Sequence, residues 1–390
     1  VVDNNNRESS VYSVSVTTDY VNPTVSITST SQTSDSITIS ASATKGSSNI
    51  AKYMYSKDGG STWVTNTTTA ITNSYTFTGL SERTTYNLRV KVVDSSGKES
   101  TVASKSITTN YSTLAAKVKA LYTSQGSNGI YFHDSNLANG AGDNSYRYAG
   151  ANPNNYVCFG STASTCPSKN LYRIIGVFGD QVKLIHATYA TTAEIGTAAH
   201  AGSDRFYWSG SSSNQSNDWS RSTLNTRSLN GTFLTNLGTT WTDKIVTDMW
   251  HWGGVSSYQI DSLSATVKTA FDYEEGVSTD MDHIYFGKIG LPYVNDYGYA
   301  ASPSYWSTAL NNYGLSEGSN WMFLKNTAYF TISRQSGYKD GVLYVSSSGD
   351  IDSSVVYGVG PAVRPSFYLT STVTTSGGIG TQSNPYRIEL

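Results

Sequence analysis

The sequence predicts a multidomain protein in which an all-β sandwich is followed by a larger α+β domain. Residues 1–20 return in similar form as residues 92–111, which indicates repeated modules of one kind. Between the two copies, short runs alternate apolar with polar residues, as half-buried strands do. The first amphipathic helical pattern begins near residue 112, and mixed helical and strand patterns follow it.

The repeated stretch sets the predicted domain boundaries. Eleven of its twenty positions are identical at one fixed offset, which chance rarely produces. We therefore interpret residues 1–20 as the C-terminal strands of a preceding sandwich repeat and residues 21–110 as a whole repeat. The second domain then comprises residues 111–390. On this interpretation the chain is a fragment of a longer repeat protein.

Three segments of the whole repeat are predicted strands. SITIS (residues 36–40), YTFTGL (75–80) and YNLRVKVV (86–93) place apolar side chains on one face and polar ones on the other. KDGGST (57–62) and DSSGK (94–98) supply the glycine and aspartate that tight turns favour. Short strands and turns at this spacing are typical of a β-sandwich.

The segment GLSERTTYNLRVKVV (residues 79–93) resembles the fibronectin type III pattern, in which a Gly-Leu pair and a short corner precede a tyrosine at the start of a strand. The resemblance implies that Tyr86 is this corner tyrosine, with its hydroxyl group bonded to the preceding turn, and that Leu80 anchors the core. Glu82 stands where the family usually has proline, so bacterial immunoglobulin-like repeats are the alternative. In either case we expect a spacer without a site of its own.

The composition favours an extracellular protein. Charged residues make up 14% of the chain, the formal net charge is −2, and the chain contains 29 tyrosines and 34 glycines. Such a surface argues against nucleic-acid binding, which needs clustered lysine and arginine. No apolar run approaches the ~20 residues that span a bilayer, so we expect no membrane contact by this stretch of chain.

The two cysteines, Cys158 and Cys166 in CFGSTASTC, are predicted to form a disulfide that closes a small loop. Metal binding by the two cysteines is not expected, because no histidine lies nearby in the sequence. Catalysis by one of them is not expected either, because it would need a base that the sequence does not identify. A disulfide again places the chain outside the cytosol.

The larger domain begins with a predicted helix. In STLAAKVKALYTS, Ser112 is the expected N-cap, and Leu114, Val118 and Leu121 recur at helical spacing. LYRIIGVFGDQVKLIHA (residues 171–187) indicates two strands joined by a Gly-Asp turn. Three further helical stripes are Leu224, Leu229, Phe233, Leu234 and Leu237; Trp241, Ile245 and Met249; and Ile260, Leu263, Val267 and Phe271. Late strands are expected in WMFLKNTAYFTISR, GVLYVSSSGDID and AVRPSFYLTSTV.

Several stretches of residues 146–390 are similar to a family of extracellular domains of Gram-positive gut bacteria. They are YRYAGANPNNYVCFG, LYRIIGVFGDQVKLI, LPYVNDYGYAASPSYW, TISRQSGY and AVRPSFYL. The resemblance implies a C-type lectin-like fold, a class that includes formylglycine-generating-enzyme-like domains and retroelement-diversified variable proteins. It also implies ligand binding by an irregular loop surface and no particular reaction.

Two departures from these relatives limit the expected chemistry. The Glu-Pro-Asn, Gln-Pro-Asp and Trp-Asn-Asp triplets of calcium-dependent lectins do not occur, so calcium-mediated sugar binding is not expected. The reactive cysteine pair of formylglycine-generating enzymes lies near the C-terminal end, whereas Cys158 and Cys166 come early in the domain. We therefore expect no enzyme, no cofactor and no resident metal.

Three further features of the sequence bear on possible chemistry. MWHWGG (residues 249–254) favours aromatic packing at a helix end, with a sugar-stacking platform of Trp250 and Trp252 as the alternative. The scattered histidines lack HExxH spacing, which argues against a catalytic zinc. A carboxylate pair for glycoside hydrolysis stays open, because its separation depends on the fold.

The segment DYEEGVSTDMDH is rich in carboxylates, which are the oxygen ligands that hard cations prefer. Its spacing differs from that of an EF-hand loop. We interpret it as a solvated acidic turn, with a calcium site near Asp280 and Asp282 as the alternative. The carboxylates are Asp272, Glu274, Glu275, Asp280 and Asp282.

The predicted ligand-binding site lies in residues 333–360, which are rich in tyrosine, serine, glycine and aspartate. Antibody paratopes share this composition, because tyrosine gives a large contact area at low entropic cost. In the retroelement-diversified relatives the corresponding segment, just before an Arg-Pro strand, carries the variable ligand-contacting residues. The alternative is that these are ordinary solvent-facing residues. Carried over by position, the candidates are Arg334, Gln335, Tyr338, Lys339, Asp340, Tyr344, Asp350, Asp352 and Tyr357.

Arg364 is predicted to be structural. It lies between Val363 and Pro365 in an apolar strand, so we expect it to be buried and paired with a carboxylate.

Together these features predict an adhesin-like protein, in which sandwich repeats form a stalk and the terminal domain binds a protein or glycan ligand. One alternative is a structural subunit of an extracellular fibre or surface layer, in which the terminal domain contacts other copies of itself. The other is a surface enzyme that acts on glycans or peptidoglycan.

Overall fold

The computed structural model describes residues 1–203, 205–210, 216–252, 265–276, 283–335, 338–358 and 360–390. The chain divides into two compact units, Val1–Ser112 and Thr113–Leu390. Among the described residues, no helix is both long enough and apolar enough to cross a membrane.

The first unit contains a β-sandwich, as the sequence predicts. Its three-stranded sheet has the order β1-β2-β5 and its four-stranded sheet the order β4-β3-β6-β7. Every neighbouring pair in both sheets is antiparallel. The strands are β1 (Thr24–Gln32), β2 (Ile37–Thr44), β3 (Ile50–Ser56), β4 (Val64–Thr67), β5 (Thr72–Phe77), β6 (Thr85–Asp94) and β7 (Ala103–Thr108).

The core of the sandwich forms where the alternating side chains of the two sheets meet. Along β2, every second residue from Ile37 onward is buried and the residues between are more exposed. From the other sheet, Tyr53, Leu88 and Val90 are fully buried in the same apolar cluster. The predicted period of two therefore corresponds to one face in the core and one face towards water.

The corner implied by the fibronectin type III resemblance is present. The Tyr86 hydroxyl oxygen accepts a hydrogen bond of 3.0 Å from the backbone N–H of Ser81. Leu80, beside it, is 7% exposed and belongs to the core. Strand order and corner together make this a fibronectin type III-like sandwich.

Changing Tyr86 to phenylalanine removes the corner hydrogen bond and keeps the aromatic ring. Because the Ser81 N–H then loses its partner, we expect the free energy of unfolding of the sandwich to fall by about 1 kcal/mol. Thermal unfolding of the whole chain measures the shift. Tyr12→Phe is the matched control, since the Tyr12 side chain is 89% exposed. An equal effect of both changes would contradict this role of the corner.

The two copies of the repeated stretch share a turn as well as a sequence. Asp3 and Asp94 each accept, on Oδ1, the backbone N–H groups two and four residues later. Asn6 and Gly97 occupy the same place in the two turns, with φ of 64° and 80°. These are left-handed conformations, which glycine and asparagine tolerate best.

The second unit combines sheets with short helices. Its strands are β8 (Ile130–Phe132), β9 (Tyr146–Tyr148), β10 (Tyr156–Cys158), β11 (Leu171–Phe178), β12 (Gln181–His186), β13 (His200–Gly202), β14 (Arg205–Phe206), β15 (Asp248–His251), β16 (Ile284–Gly287), β17 (Tyr329–Arg334), β18 (Gly341–Val345), β19 (Ile351–Val355), β20 (Ser366–Tyr368), β21 (Thr375–Gly377) and β22 (Tyr386–Ile388). Its α-helices are α1 (Leu114–Lys119), α2 (Thr192–Ile195), α3 (Leu234–Leu237), α4 (Thr239–Thr242), α5 (Val267–Phe271) and α6 (Val294–Tyr299). Leu224–Phe233 and Asp272–Gly276 are π-helical, and 3₁₀ turns occupy Ser127–Gly129, Ser168–Asn170, Trp219–Arg221, Pro303–Tyr305 and Leu310–Ser319.

One large sheet organises this unit, with the order β20-β12-β11-β10-β22-β21; β9 also pairs with β11, and β8 pairs with β9. The predicted hairpin forms its centre as β11 and β12. Three smaller sheets, β13-β14, β15-β16 and β17-β18-β19, surround it. Strands β11 and β12 are buried along almost their whole length, because residues pack on both of their faces.

The predicted disulfide between Cys158 and Cys166 is present, with Cα atoms 5.8 Å apart. It joins the end of β10 to the loop before β11. Cys158 is fully buried against the sheet. The disulfide therefore holds this loop close to the central strands.

Two expectations about secondary structure need correction. The N-cap of α1 is Thr113 and not Ser112, because the Thr113 hydroxyl accepts the Ala116 N–H at 3.0 Å. Met249 lies in strand β15 and not in a helix, because β15 pairs along its whole length with β16. Of the third helical stripe, Val267 and Phe271 lie in α5, whereas Ile260 and Leu263 lie outside the described residues.

Candidate ligand-binding cleft

The predicted ligand-binding residues lie on and around the small sheet β17-β18-β19. Arg334 ends β17, and its guanidinium lies 5.4 Å from the centre of the Trp252 ring. Gln335 follows and donates its backbone N–H to the carbonyl of Gly341 at 2.9 Å. Tyr338 is 54% exposed.

Four of the predicted residues also support the fold locally. Lys339 accepts the Asn217 N–H and Asp340 accepts the Val356 N–H, in both cases on the backbone carbonyl. The Asp350 carboxylate accepts the Gly314 N–H at 2.7 Å. Tyr357 is half-buried against the core.

Tyr344 and Asp352 form a cross-strand pair. They are opposite each other in the register of β18 and β19, and the Tyr344 hydroxyl donates to Asp352 Oδ2 at 3.0 Å. Partial burial, together with this carboxylate, raises the pKa of Tyr344 to about 12. The phenol therefore stays protonated at neutral pH and keeps its ring fixed on the sheet.

Tyr344 lines an open cleft with a volume of about 310 Å³. This volume lies at the small end of the range of small-molecule sites. Five separate segments contribute the other walls, which combine aromatic, hydroxyl, amide and guanidinium groups. Its polar and aromatic side chains are Tyr189, Ser203, Arg205, Asn326, Thr327, Tyr344 and Ser354.

Unusual backbone conformations position two of these side chains. Ser203 has φ of 45° and Asn326 has φ of 61°, both in the left-handed region that favours glycine. Such conformations cost free energy and cluster at binding sites, where the surrounding structure maintains them. Ala328 and Ala362 then tie the adjoining segments together, because the Ala362 N–H donates to the Ala328 carbonyl at 2.9 Å.

Arg205 supplies the positive charge of the cleft. It lies on β14, its side chain is exposed, and it belongs to no ion pair within the described parts of the chain. The walls formed by described residues contain no carboxylate. An exposed guanidinium presents a planar set of donors that match a carboxylate or neighbouring hydroxyl groups.

Of the residues that line the cleft, the sequence predicted Tyr344 as ligand-binding and did not predict the others. Tyr189, Arg205 and Asn326 come from stretches far apart in the chain, and no local pattern connects them. No sequence pattern predicted the positive φ of Ser203, because serine rarely adopts a left-handed backbone conformation.

The acidic segment is not the solvated turn that we expected. Glu274 is 1% exposed and accepts the backbone N–H groups of Val294 and Asn295 at 3.0 and 2.8 Å. The Ser333 hydroxyl also donates to it. Burial raises the pKa of the Glu274 carboxyl group to about 7. Asp280 and Asp282 lie outside the described residues.

A buried ionic network adjoins Glu274. Lys183 donates to Asp296 Oδ2 at 2.7 Å, and both side chains are fully buried. The Asn295 amide donates to both Glu274 and Glu275, at 2.9 and 2.7 Å. Arg147, on the other side, bonds to the Asn295 side-chain oxygen at 2.9 Å. Within the described part of the chain, no group of three or more histidine, cysteine or carboxylate side chains could hold a metal ion.

Two further expectations concern buried side chains. Trp250 and Trp252 are 0% and 6% exposed, so they are packed in the core and are not an exposed sugar platform. Arg364 is fully buried as predicted, but the expectation of a carboxylate partner is wrong. Its guanidinium donates to the backbone carbonyls of His186, Ala187 and Met322, and the ion pairs among described residues do not include it. Arginine has five N–H donors and can satisfy three backbone carbonyls at once, which explains this choice of partners.

The solved structures to which this chain is similar include fibronectin type III-like domains, each covering about a quarter of the chain. No family model matches the chain, and no curated protein matches it. The fibronectin(III)-like modules of CbhA from Clostridium thermocellum are 20% identical, with 23% of this chain and 47% of that chain covered and a TM-score of 0.20. A fourth fibronectin type III domain of human is 23% identical, with 26% and 90% covered and a TM-score of 0.21. The sensor domain of the anti-sigma factor RsgI4 in Pseudobacteroides cellulosolvens is 19% identical, with 23% and 97% covered and a TM-score of 0.19. Sequence identities and TM-scores this low support no conclusion about function.

Proposed function

We propose that this is an adhesin-like protein of a bacterial cell surface, whose second unit binds a glycan in the cleft beside Tyr344. The observation that carries the proposal is the composition of the cleft walls. Tyr189 and Tyr344 provide aromatic rings, and Ser203, Asn326 and Ser354 provide short polar groups. Sugars present apolar ring faces beside many hydroxyl groups, so such a mixed wall is complementary to them.

The location of the protein rests on different observations. A disulfide is stable in oxidising compartments, which favours secretion or display at a surface. A fibronectin type III-like sandwich precedes the second unit in the chain, as a spacer would. The resemblance of residues 146–390 to domains of Gram-positive bacteria supports a C-type lectin-like fold for the second unit and a bacterial source.

We favour binding over catalysis at this cleft. Glycoside hydrolysis uses two carboxyl groups that flank the scissile bond. The described residues of the walls supply none, and Asp352 is engaged by the Tyr344 hydroxyl. The side chains present can donate hydrogen bonds and stack, which is what recognition without turnover requires.

Arg205 decides which glycans are favoured. A guanidinium and a carboxylate form two parallel charge-assisted hydrogen bonds, so we expect glycans that carry a carboxylate to bind better than neutral ones. Replacing Arg205 with glutamine is expected to weaken binding of acidic glycans by about tenfold or more, which corresponds to about 1.4 kcal/mol. A glycan array probed with the whole chain, followed by titration of the best ligand, measures the effect.

Arg227→Gln is the matched control for this experiment. Arg227 is exposed and lies on the π-helix Leu224–Phe233, away from the cleft walls. Arg227→Gln removes the same positive charge from the chain as Arg205→Gln does, so an effect of net charge alone would appear in both variants. Equal binding by the Arg205 variant and the native chain would refute the cleft as the site. Self-association without glycan binding would instead favour a fibre or surface-layer subunit, and binding only to proteins would favour a protein ligand.

A further inference from the structure

The buried contact between Lys183 and Asp296 has the arrangement of two groups that can condense. Lys183 lies in the central strand β12, and Asp296 lies in the first turn of α6. Nζ and Oδ2 are 2.7 Å apart, and neither side chain has any exposed area. Two reacting groups that the fold holds in contact, without water between them, avoid the entropic cost of coming together. That cost is a large part of the barrier of a bimolecular reaction.

Aromatic rings surround the amine. The Lys183 Nζ lies 4.3 Å from the ring centre of Tyr293, 5.1 Å from that of Tyr368 and 5.6 Å from that of Trp250. These rings keep water away from the Lys183 amine, and exclusion of water favours a condensation that releases a water molecule.

The two oxygens of Asp296 are in different surroundings. Oδ2 accepts the Tyr293 N–H at 2.8 Å as well as the lysine. Oδ1 has no hydrogen-bond donor among the described residues, although the Arg147 guanidinium lies 3.9 Å away. Oδ2 therefore already has the donor that the carbonyl oxygen of an amide would use, and Oδ1 is the oxygen that can leave when the amide forms.

A carboxyl group that could relay protons is adjacent. Glu275 is held by the Asn295 amide at 2.7 Å, and the charges of both Lys183 and Asp296 act on it. Burial raises the pKa of Glu275 above its usual range, so its protonated form is easier to reach in the folded chain than in the unfolded one. A protonated carboxyl group can give a proton to a leaving hydroxyl group and take one from the attacking amine.

We propose that Lys183 and Asp296 form an intramolecular isopeptide bond. The Nζ–Cγ bond forms, the Cγ–Oδ1 bond breaks, and Oδ1 leaves as water with the two protons that the amine gives up. Glu275 passes one of these protons to the leaving oxygen and ends in its starting state. No oxidation or reduction occurs. The product is a neutral amide whose oxygen keeps the Tyr293 N–H as donor, and it links β12 covalently to α6.

The mass of the intact chain tests this directly. The whole protein, denatured and with its disulfide reduced, is expected to weigh less than its amino-acid composition by the mass of one water molecule. Proteolysis should release a branched peptide that joins the segments around Lys183 and Asp296. A folded native chain with its full mass overturns the proposal, as does a missing water that maps to other residues.

Three variants sharpen the result. Lys183→Arg keeps a positive charge that cannot form this amide, so it should have its full mass. Asp296→Asn should lose ammonia in place of water and reach the same product mass as the native chain. Glu275→Gln should slow the reaction, so that uncrosslinked chain accumulates in freshly made protein. Loss of the same water from the Lys183→Arg chain would contradict the assignment even if the other variants fail to fold.

Discussion

Replacing Lys183 with methionine is expected to lower the free energy of unfolding of the second unit by about 3–5 kcal/mol, because the variant leaves the buried Asp296 carboxylate without the partner that Lys183 supplies, either as a cation or through the proposed amide. Asp296 is fully buried, and Lys183 is its hydrogen-bonded cation at 2.7 Å. Methionine fills much of the lysine volume and leaves the carboxylate with the Tyr293 N–H and, 3.9 Å away, the Arg147 guanidinium. Chemical denaturation of the whole chain, followed by a probe in the second unit, measures the loss.

The double variant Lys183→Met with Asp296→Asn separates charge from packing. Asparagine keeps an oxygen for the Tyr293 N–H and removes the stranded charge. We therefore expect the double variant to recover part of the stability that the single change loses. If the double variant were less stable than the single one by the full cost of a second independent change, this coupling would be absent.

The stability of the second unit is also expected to fall as pH rises from about 4.5 to about 7, by about 3 kcal/mol. Burial raises the pKa of Glu274 from 4.5 to about 7, so the folded chain holds a proton that the unfolded chain releases. The resulting stabilisation is complete below pH 4.5 and is lost as pH rises through 7. Glu275, whose pKa is also raised by burial, acts in the same direction.

Denaturation at a series of pH values measures this slope, and Glu274→Gln is the informative variant. Glutamine cannot ionise, so the fall between pH 4.5 and 7 should become shallower. Its stability at low pH should also be lower, because its amide cannot accept from Asn295 and Val294 at both oxygens. A slope unchanged by this substitution would show that other groups carry the pH dependence.

The sandwich could be predicted because its determinants are local. Alternating burial in β2 and the turn at Asp94 depend on neighbours along the chain and on one pairing partner. The helical stripe through Met249 failed for the opposite reason. Residues three or four apart look helical, but pairing of β15 with β16 across a long sequence separation decides the conformation.

The cleft could be predicted only in part. Composition identified Tyr344 because tyrosine-rich loops share a chemical signature with binding surfaces. Arg205 and Tyr189 reach the same cleft only through the packing of separate strands, which no spacing in the sequence encodes. The burial of Glu274 was missed because an acidic segment looks solvated until its backbone donors in α6 are known.

Hydrogen exchange of the whole chain, with and without a saturating bound glycan, tests the central claim most directly. The account predicts slowed exchange in the cleft segments, namely β13, β14, residues 326–328 and β18, and unchanged exchange in the sandwich. Protection confined to other parts of the second unit, or to the sandwich, would contradict the placement of the binding site.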